Sequence, residues 1–342
     1  MAKIAINGFG RIGRAFFKLA VTRPEIEIVA INDLGELENL VYLLKYDSAY
    51  GRYEKEVTIG EKDGHKTLKV GNSEALFVQE KDPLNLPWGK LGVDVVVEAT
   101  GIFESFEKAS VHKQAGAKRV VLTAPAKDAD NNDAKTILMG INHDQMGKCT
   151  LSSNGSCTTN SASPVISILH EKIGIKKAFL NTIHGYTATQ SLIDGPAKGS
   201  DWRRGRAAAQ NISPSSTGAA IAVARVLPDL VGKFDGMAMR VPVITGSISA
   251  IVFLAGRTTS PEEVNSILEE ASKDPKWHGV FGTTRDQLVS SDIVGQPYAA
   301  IADLSLTKVT DGDLVAIYSW YDNEFGYTNA LVQHVIEAVK YI

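Results

Sequence analysis

Short runs of consecutive apolar residues, many of them β-branched, alternate with segments of helical spacing through the first half of the chain. Lys3-Ile4-Ala5-Ile6-Asn7 predicts a buried strand, Gly10 to about Thr22 a helix, and Ile26 to Asn32 a second strand. The runs Asp94 to Glu98, Arg119 to Leu122 and Thr136 to Gly140 continue the pattern. Uninterrupted apolar strands separated by helices imply a parallel sheet covered on both faces. Past Cys157 the rhythm changes. A helix ends near Glu171, and longer strands then follow with fewer helices between them: Lys177–Thr182, Met237–Val241, Ser247–Ala255, Ala299–Leu306 and Leu314–Tyr321. These predict a mostly antiparallel sheet, with Pro261–Lys273 as a helix against it and Pro261 in the first turn, where a missing N–H costs nothing. The last segment, Asn329–Val339, places Leu331, Val335, Ile336 and Val339 on one helical face.

A length of 342 residues is more than one ordinary domain holds, so two are expected, with a tight boundary near Ser156. The chain is 44% hydrophobic and 22% charged, which excludes wholesale disorder. Its 36 basic and 39 acidic residues leave a net charge of −3, and nothing in that balance asks for nucleic acid or an anionic membrane. The two cysteines, Cys149 and Cys157, form no CxxC pair and are too few for a disulfide framework, so reduced thiols are expected. Met-Ala-Lys leads straight into a strand and no apolar run approaches twenty residues. A cytoplasmic, membrane-free protein is the expectation. The seven histidines show no metal-ligand spacing, and no metal is expected.

Asn7-Gly8-Phe9-Gly10-Arg11-Ile12-Gly13-Arg14 contains GxGxxG directly after a strand and at the start of a helix. Gly8 permits the tight turn, Gly10 lets backbone approach a pyrophosphate, and Gly13 lets helix and strand pack closely. Such a motif alone also fits an ordinary turn. Here the second strand ends at Asp33, twenty residues past Gly13, where a ribose-binding acid belongs. An acid there repels a 2′-phosphate, which favours NAD over NADP.

Ser153-Asn154-Gly155-Ser156-Cys157-Thr158-Thr159-Asn160 sets a cysteine at a predicted strand-to-helix junction. Unpaired N–H groups at a helix N-terminus stabilise a thiolate, so a lowered pKa is expected. Most free cysteines are buried small hydrophobes. The polar neighbours of Cys157 argue against that reading, whereas Cys149 fits it. Among the histidines His184 stands at the end of a strand; on residues alone, base and bystander are equally good readings of it.

These blocks resemble those of the phosphorylating glyceraldehyde-3-phosphate dehydrogenases along essentially the full chain. Further matching blocks are Leu44-Lys45-Tyr46-Asp47-Ser48, His184-Gly185-Tyr186-Thr187-Ala188-Thr189-Gln190, Pro214-Ser215-Ser216-Thr217-Gly218-Ala219-Ala220, Arg240-Val241-Pro242 and Ser319 to Tyr327. The resemblance implies a doubly wound α/β (Rossmann) NAD domain at 1–156, joined by a C-terminal helix at 323–342, and an α+β catalytic domain at 157–322. It implies glycolytic oxidative phosphorylation of glyceraldehyde 3-phosphate with NAD and inorganic phosphate, through a thioester on Cys157 with His184 as base. The substrate phosphate would be held by Thr187, Thr189 and Arg240, and the attacking phosphate by Ser156, Thr158, Thr217 and Gly218, with Arg204 as a further, phosphate-steering contact. The cofactor would be held by Gly8, Phe9, Gly10, Arg11, Ile12, Gly13, Asp33, Lys81, Thr100, Thr123, Pro196, Asn323 and Tyr327. Pro196 stands where NADP-using relatives place a hydroxyl, and proline has no donor to offer. A homotetramer is implied, with the Trp202-to-Arg206 loop at a subunit interface.

The chain departs from the family pattern at Ser161, Ala99, Thr123 and Lys81, all tolerable. Larger changes are Val243-Ile244-Thr245-Gly246-Ser247, where Thr-x-Asn-Val-Ser is common, and Ile221 in place of lysine. They bear on phosphate contacts and subunit packing, not on the reaction class. The alternatives are an erythrose-4-phosphate dehydrogenase, which generally lacks the Thr-x-Thr seen at Thr187 and Thr189, and a non-catalytic dinucleotide-binding protein.

Overall fold

The computed structural model describes residues 1–197 and 199–342. The chain divides into two compact units: residues 1–137, 142–155 and 331–342 in the first, and 138–141 and 156–330 in the second.

The first unit opens with β1 (Ala2–Asn7), α1 (Arg11–Ala20), β2 (Ile26–Asn32) and α2 (Leu37–Lys45). β3 (Val57–Lys62), β4 (His65–Val70) and β5 (Ser73–Val78) follow, then β6 (Val95–Glu98), β7 (Arg119–Leu122), β8 (Ala134–Thr136) and β9 (Leu151–Ser153). They form one nine-stranded sheet in the order β8-β9-β7-β6-β1-β2-β5-β4-β3. Pairing is parallel from β8 to β5 and antiparallel across β5-β4-β3. The apolar runs are buried on both faces, as continuous hydrophobic strands require: Val95, Val96, Val97 and Glu98 are all inside. One core joins Ile4, Ile6, Phe16 and Phe17 to Leu331, Val332 and Val335 of the C-terminal helix. A second lies on the other face, around Val96, Val120 and Trp88.

Two elements differ from the sequence reading. The run Thr136 to Gly140 stays in the ladder only as far as Thr136, and Gly140 turns at φ +79° against the Trp277 ring. The apolar residues there fill cores rather than extend a strand. The β3–β4 hairpin, turned by Asp63 and Gly64 at positive φ, adds an antiparallel edge that the strand pattern had not revealed.

The second unit starts with α3 (Cys157–Ile173) and β10 (Ile175–Gly185), followed by β11 (Ser213–Ser216), α4 (Ala219–Val226), β12 (Phe234–Val241) and β13 (Ser247–Ala255). α5 (Pro261–Ala271), β14 (Phe281–Thr284), β15 (Ala300–Asp303) and β16 (Leu314–Tyr321) follow, and α6 (Phe325–Val339) ends the chain. The strand order is β11-β12-β10-β13-β16-β15-β14. Most pairings are antiparallel; β10–β12 and β14–β15 are parallel. α3, α4 and α5 cover one face of this sheet through Val165, Leu169, Val223 and Leu268.

Candidate active site

In the first unit the glycines of the turn after β1 divide into two that close packing requires and one that is left open. A Cβ on Gly8, which sits at φ +95°, would fall 2.7 Å from the backbone of Ala99 and Thr100. One on Gly13 would meet the Gly8 carbonyl oxygen at 2.1 Å, so α1 can lie against the turn only without a side chain there. Gly10 faces open space, with nothing within 4 Å of where its Cβ would be. Gly8, Gly10, Asp33, Lys81 and Thr100 line one cleft of about 520 Å³ with Ala99 and Phe103. Asp33 is anchored by the backbone N–H of Phe9 at 2.6 Å and of Gly35 at 2.8 Å, which fixes its carboxylate at the end of β2. An open glycine at a helix N-terminus and a fixed carboxylate are what a dinucleotide's pyrophosphate and ribose require, so these residues fit NAD.

Not every predicted side chain points there. The Phe9 ring is buried edge-on against Phe17, and the Arg11 guanidinium forms a two-pronged pair with Asp47 at 3.0 and 3.2 Å. Phe9, Arg11 and Ile12 can therefore meet a cofactor through their backbone. Thr123 donates to the Glu98 carbonyl at 3.0 Å.

A network absent from the sequence reading underlies this turn. The buried Glu98 carboxylate accepts from Asn7 Nδ2 at 2.6 Å, His112 Nε2 at 2.9 Å and the Thr100 N–H at 2.8 Å, and also from the Thr100 hydroxyl. Trp88 Nε1 donates to His112 Nδ1 at 3.1 Å, so the histidine must carry its proton on Nε2 and give it to Glu98. Only the run of β6 residues ending in a buried acid signalled it.

The thiol chemistry lies in the second unit. Ser156 caps α3: its Oγ accepts from the Thr159 N–H at 3.0 Å, and its own N–H donates to Thr159 Oγ1 at 3.2 Å. That reciprocal box places Cys157 on the first residue of the helix. Its Sγ is 3.3 Å from Nε2 of His184, which β10 delivers at its C-terminal end. Arg240, opposite His184 in the β10–β12 register, puts Nη1 2.8 Å from the other ring nitrogen, Nδ1.

The electrostatics reverse one expectation. The N-terminal N–H groups and the Arg240 charge do pull the Cys157 thiol down, but burial outweighs them and leaves it above its ordinary value. Cys157 keeps part of its surface open; protein packed around the sulfur is what disfavours the thiolate. The N–H groups of a helix terminus lower a thiol only where desolvation does not outweigh them. Burial and then the Arg240 charge push His184 down to about 3. Cys149 is fully buried and raised by desolvation, in keeping with a structural role.

Around this pair the hydroxyls fall into groups. Thr187 and Thr189 lie 2.9 Å apart through their oxygens, and Arg204 Nη1 donates to Thr189 at 3.2 Å. The Arg204 charge is felt by both His184 and Arg240. Thr217 and Gly218 form the turn into α4; Ser213 of β11 pairs with Arg240, so they lie beyond the other end of that pairing. The Thr158 hydroxyl meets Tyr321 OH at 3.0 Å, and Tyr321 OH meets Thr182 at 2.7 Å while its ring stands edge-on to His184. Tyr321 had no role in the sequence reading, although it lies within a matching block. Asn323 is buried, and its Oδ1 accepts from Ser247 Oγ at 2.8 Å and Thr245 Oγ1 at 3.2 Å. Thr245 thereby takes up a structural task at a departed position. Tyr327 is buried near the start of α6, and Pro196 is exposed on the loop that also carries Arg204.

A chain with a doubly wound dinucleotide unit and a cysteine–histidine–arginine cluster is an oxidoreductase of the thiol-dependent, NAD-linked class. Residues 2–106 match the family model described as glyceraldehyde 3-phosphate dehydrogenase, NAD binding domain, and residues 156–323 match its C-terminal domain. The chain is similar to glyceraldehyde-3-phosphate dehydrogenase of Clostridium pasteurianum, with 46% identity over 97% of each chain. It is 48% identical to that of Borreliella burgdorferi, over 99% of this chain and 100% of the other, and 44% identical to glyceraldehyde-3-phosphate dehydrogenase 1 of Kluyveromyces lactis, over 98% and 100%. The chain belongs to the glyceraldehyde-3-phosphate dehydrogenase family, and its cofactor is NAD. Nothing in these matches favours the erythrose-4-phosphate alternative.

Proposed function

We propose that the chain oxidises glyceraldehyde 3-phosphate and captures the acyl group with inorganic phosphate, and that Cys157 is the nucleophile. The observation that carries this is the 3.3 Å contact of Cys157 Sγ with His184 Nε2 at the capped end of α3. The thiol proton passes to Nε2 as sulfur adds to the aldehyde carbon, and Nε2 returns it to the carbonyl oxygen, giving the hydroxyl of the hemithioacetal. His184 then takes the hydroxyl proton as the carbon is oxidised to a thioester. In the first unit the Gly8–Gly13 turn, Asp33, Lys81 and Thr100 would hold NAD, which would supply the two-electron acceptor, and Asn323 and Tyr327 are the proposed cofactor contacts of the second. Phosphate oxygen attacks the thioester carbon, the C–S bond breaks, and an acyl phosphate leaves as the thiolate is restored.

Thr187, Thr189, Arg204 and Arg240 receive the substrate phosphate, and Ser156, Thr158, Thr217 and Gly218 the attacking one. Hydroxyls, N–H groups and forked guanidinium groups are suited to phosphate oxygens. Ser156 Oγ keeps its capping bond and retains acceptor and donor capacity beyond it. The first unit serves the cofactor and the second the thiol chemistry.

A homotetramer is the proposed assembly. Leu192, Ile193, Trp202 and Ile212 are 70–80% exposed on one segment of the second unit, an apolar surface that a second copy would cover. Light scattering showing only monomer at micromolar concentration would refute it. A free-thiol nucleophile suits a reducing compartment, and the cytoplasm is the proposed site of action. The activity is tested by following NADH formation with glyceraldehyde 3-phosphate and erythrose 4-phosphate in parallel. A higher kcat/KM for the triose is expected; a higher value for the tetrose would overturn the substrate assignment.

A further inference from the structure

Every donor in the network beneath the glycine turn points at one group, the Glu98 carboxylate. Glu98, Asn7, Asn32 and His112 are all buried. Trp88 Nε1–H can only donate, and at 3.1 Å it makes His112 Nδ1 an acceptor. The ring therefore carries its single proton on Nε2 and gives it to Glu98 Oε2 at 2.9 Å. Asn7 Nδ2 donates to the same oxygen, which is why it stands only 3.3 Å from His112 Nε2. On its other side the carboxylate takes the Thr100 N–H at 2.8 Å and the Thr100 hydroxyl on Oε1.

A carboxylate accepts and never donates, so it fixes the polarity of whatever is bonded to it. With Nδ2 turned to Glu98, Asn7 must present Oδ1 to Asn32 Nδ2, at 2.7 Å. Asn32 gives its second amide hydrogen to the Glu80 carbonyl at 2.9 Å, and its Oδ1 accepts the Glu80 N–H at 2.9 Å. The bonds thereby tie the ends of β1, β2 and β6 to the stretch that follows β5. Asn7, Asn32, Glu80 and Thr100 line the same cleft as Gly8 and Asp33, so the walls of that cleft are set by an acid behind them.

Thr100 shows the consequence. Its hydroxyl hydrogen goes to Glu98, and its oxygen accepts the Ile102 N–H at 3.1 Å. A hydroxyl has one hydrogen, so none is left for a ligand in the cleft.

We infer that Glu98 is a positioning residue for the cofactor: its carboxylate sets the cleft walls through Asn7, Asn32 and Thr100, and the Thr100 hydroxyl acts on the cofactor only through Glu98. This rests on the reading that the cleft holds NAD through Asp33. A neutral amide in place of the acid is a misfit in either orientation. Turned toward Asn7 and His112, its NH2 meets donors that Asn32 and Trp88 keep from reversing. Turned toward Thr100, it meets a main-chain N–H, which has no other role to take.

The test is calorimetric titration of the full-length protein with ADP-ribose, which has the pyrophosphate and riboses of NAD but no nicotinamide. Glu98→Gln should raise Kd about tenfold or more with the number of sites per chain unchanged. A merely structural role would instead reduce the competent sites and leave Kd as it was, and that result overturns the inference. Thr100→Ser keeps the hydroxyl and should bind as the wild type does, whereas Thr100→Val should raise Kd about threefold. In the Glu98→Gln protein the same Thr100→Val change should add nothing, because the partner of the hydroxyl is already lost. Losses that multiply would mean that the hydroxyl meets the ligand directly, and overturn the inference. Equal affinities of Thr100→Val and Thr100→Ser overturn it even if Glu98→Gln does not fold. Asp33→Ala tests the underlying reading: if it leaves ADP-ribose binding unchanged, the cleft assignment falls and the inference with it. Binding weakened by Asp33→Ala but not by Glu98→Gln overturns the inference alone.

Discussion

Replacing Tyr321 by phenylalanine removes one oxygen and leaves the ring that packs edge-on against His184. That oxygen is the shared partner of Thr158 at 3.0 Å and Thr182 at 2.7 Å, and all three residues are buried. Thr182 retains only a long contact of 3.4 Å to the Ile248 carbonyl. Each lost hydrogen bond costs about 0.5–1.5 kcal/mol net, and more where the remaining hydroxyl is left unsatisfied inside the protein, so the variant should lose roughly 2–3 kcal/mol of stability. Thr158 follows Cys157 on the first turn of α3 and is a proposed ligand of the attacking phosphate. Freeing its hydroxyl should raise KM for inorganic phosphate and lower kcat/KM by about tenfold, equivalent to about 1.4 kcal/mol. Urea unfolding at one fixed protein concentration measures the first effect, and steady-state kinetics with phosphate varied the second. A stability loss under about 0.5 kcal/mol together with an unchanged KM for phosphate would refute the bridging role.

Asp33→Gly should narrow the preference for NAD over NADP by removing the charge that repels a 2′-phosphate; unchanged kcat/KM ratios would show that charge to be irrelevant. Iodoacetamide should label Cys157 well before the buried Cys149, as mapped by mass spectrometry, and first labelling of Cys149 would overturn the choice of nucleophile. Burial holds both His184 and His334 down to about 3, below the unfolded value of 6.5. Between pH 6.5 and 3 the unfolded chain therefore binds protons that the folded chain refuses, so stability is intact above 6.5 and falls as the pH drops. At pH 5 the loss is about 2 kcal/mol for each histidine. His334→Gln, which can still meet Ser152 Oγ, should flatten that slope in unfolding measured against pH, and an unaltered slope would contradict the assignment.

What was legible in the sequence was whatever depends on local order. The glycine turn could be read because Gly8 and Gly13 each meet a neighbour a few residues away or across one strand, and β13 and β16 because their apolar runs lie in the middle of a sheet. Thr136 to Gly140 misled, since an apolar run says that residues are buried but not that they are extended. The β3–β4 hairpin has its signal in Asp63-Gly64, flanked by alternating residues rather than by the continuous apolar runs of the parallel strands. Glu98, His112 and Trp88 could not be found from spacing, because their bonds join a strand to two separate helices. Arg240 was assigned to a phosphate by resemblance; its contact with His184 follows from the β10–β12 register, which no local pattern reveals. The raised thiol of Cys157 was misjudged because a helix terminus is visible in a sequence and the density of protein around a sulfur is not.

The central claim is that Cys157 carries the acyl group between oxidation and phosphate attack. It is tested most directly by mixing the protein with glyceraldehyde 3-phosphate and NAD in the absence of phosphate and following NADH absorbance rapidly. The account predicts a burst equivalent to the Cys157 content that then stalls, an acyl mass on the Cys157 peptide, and resumed turnover when phosphate is added. Sustained NADH formation without phosphate and without hydrolysis of a Cys157 thioester, or a burst that survives in Cys157→Ser, would contradict it.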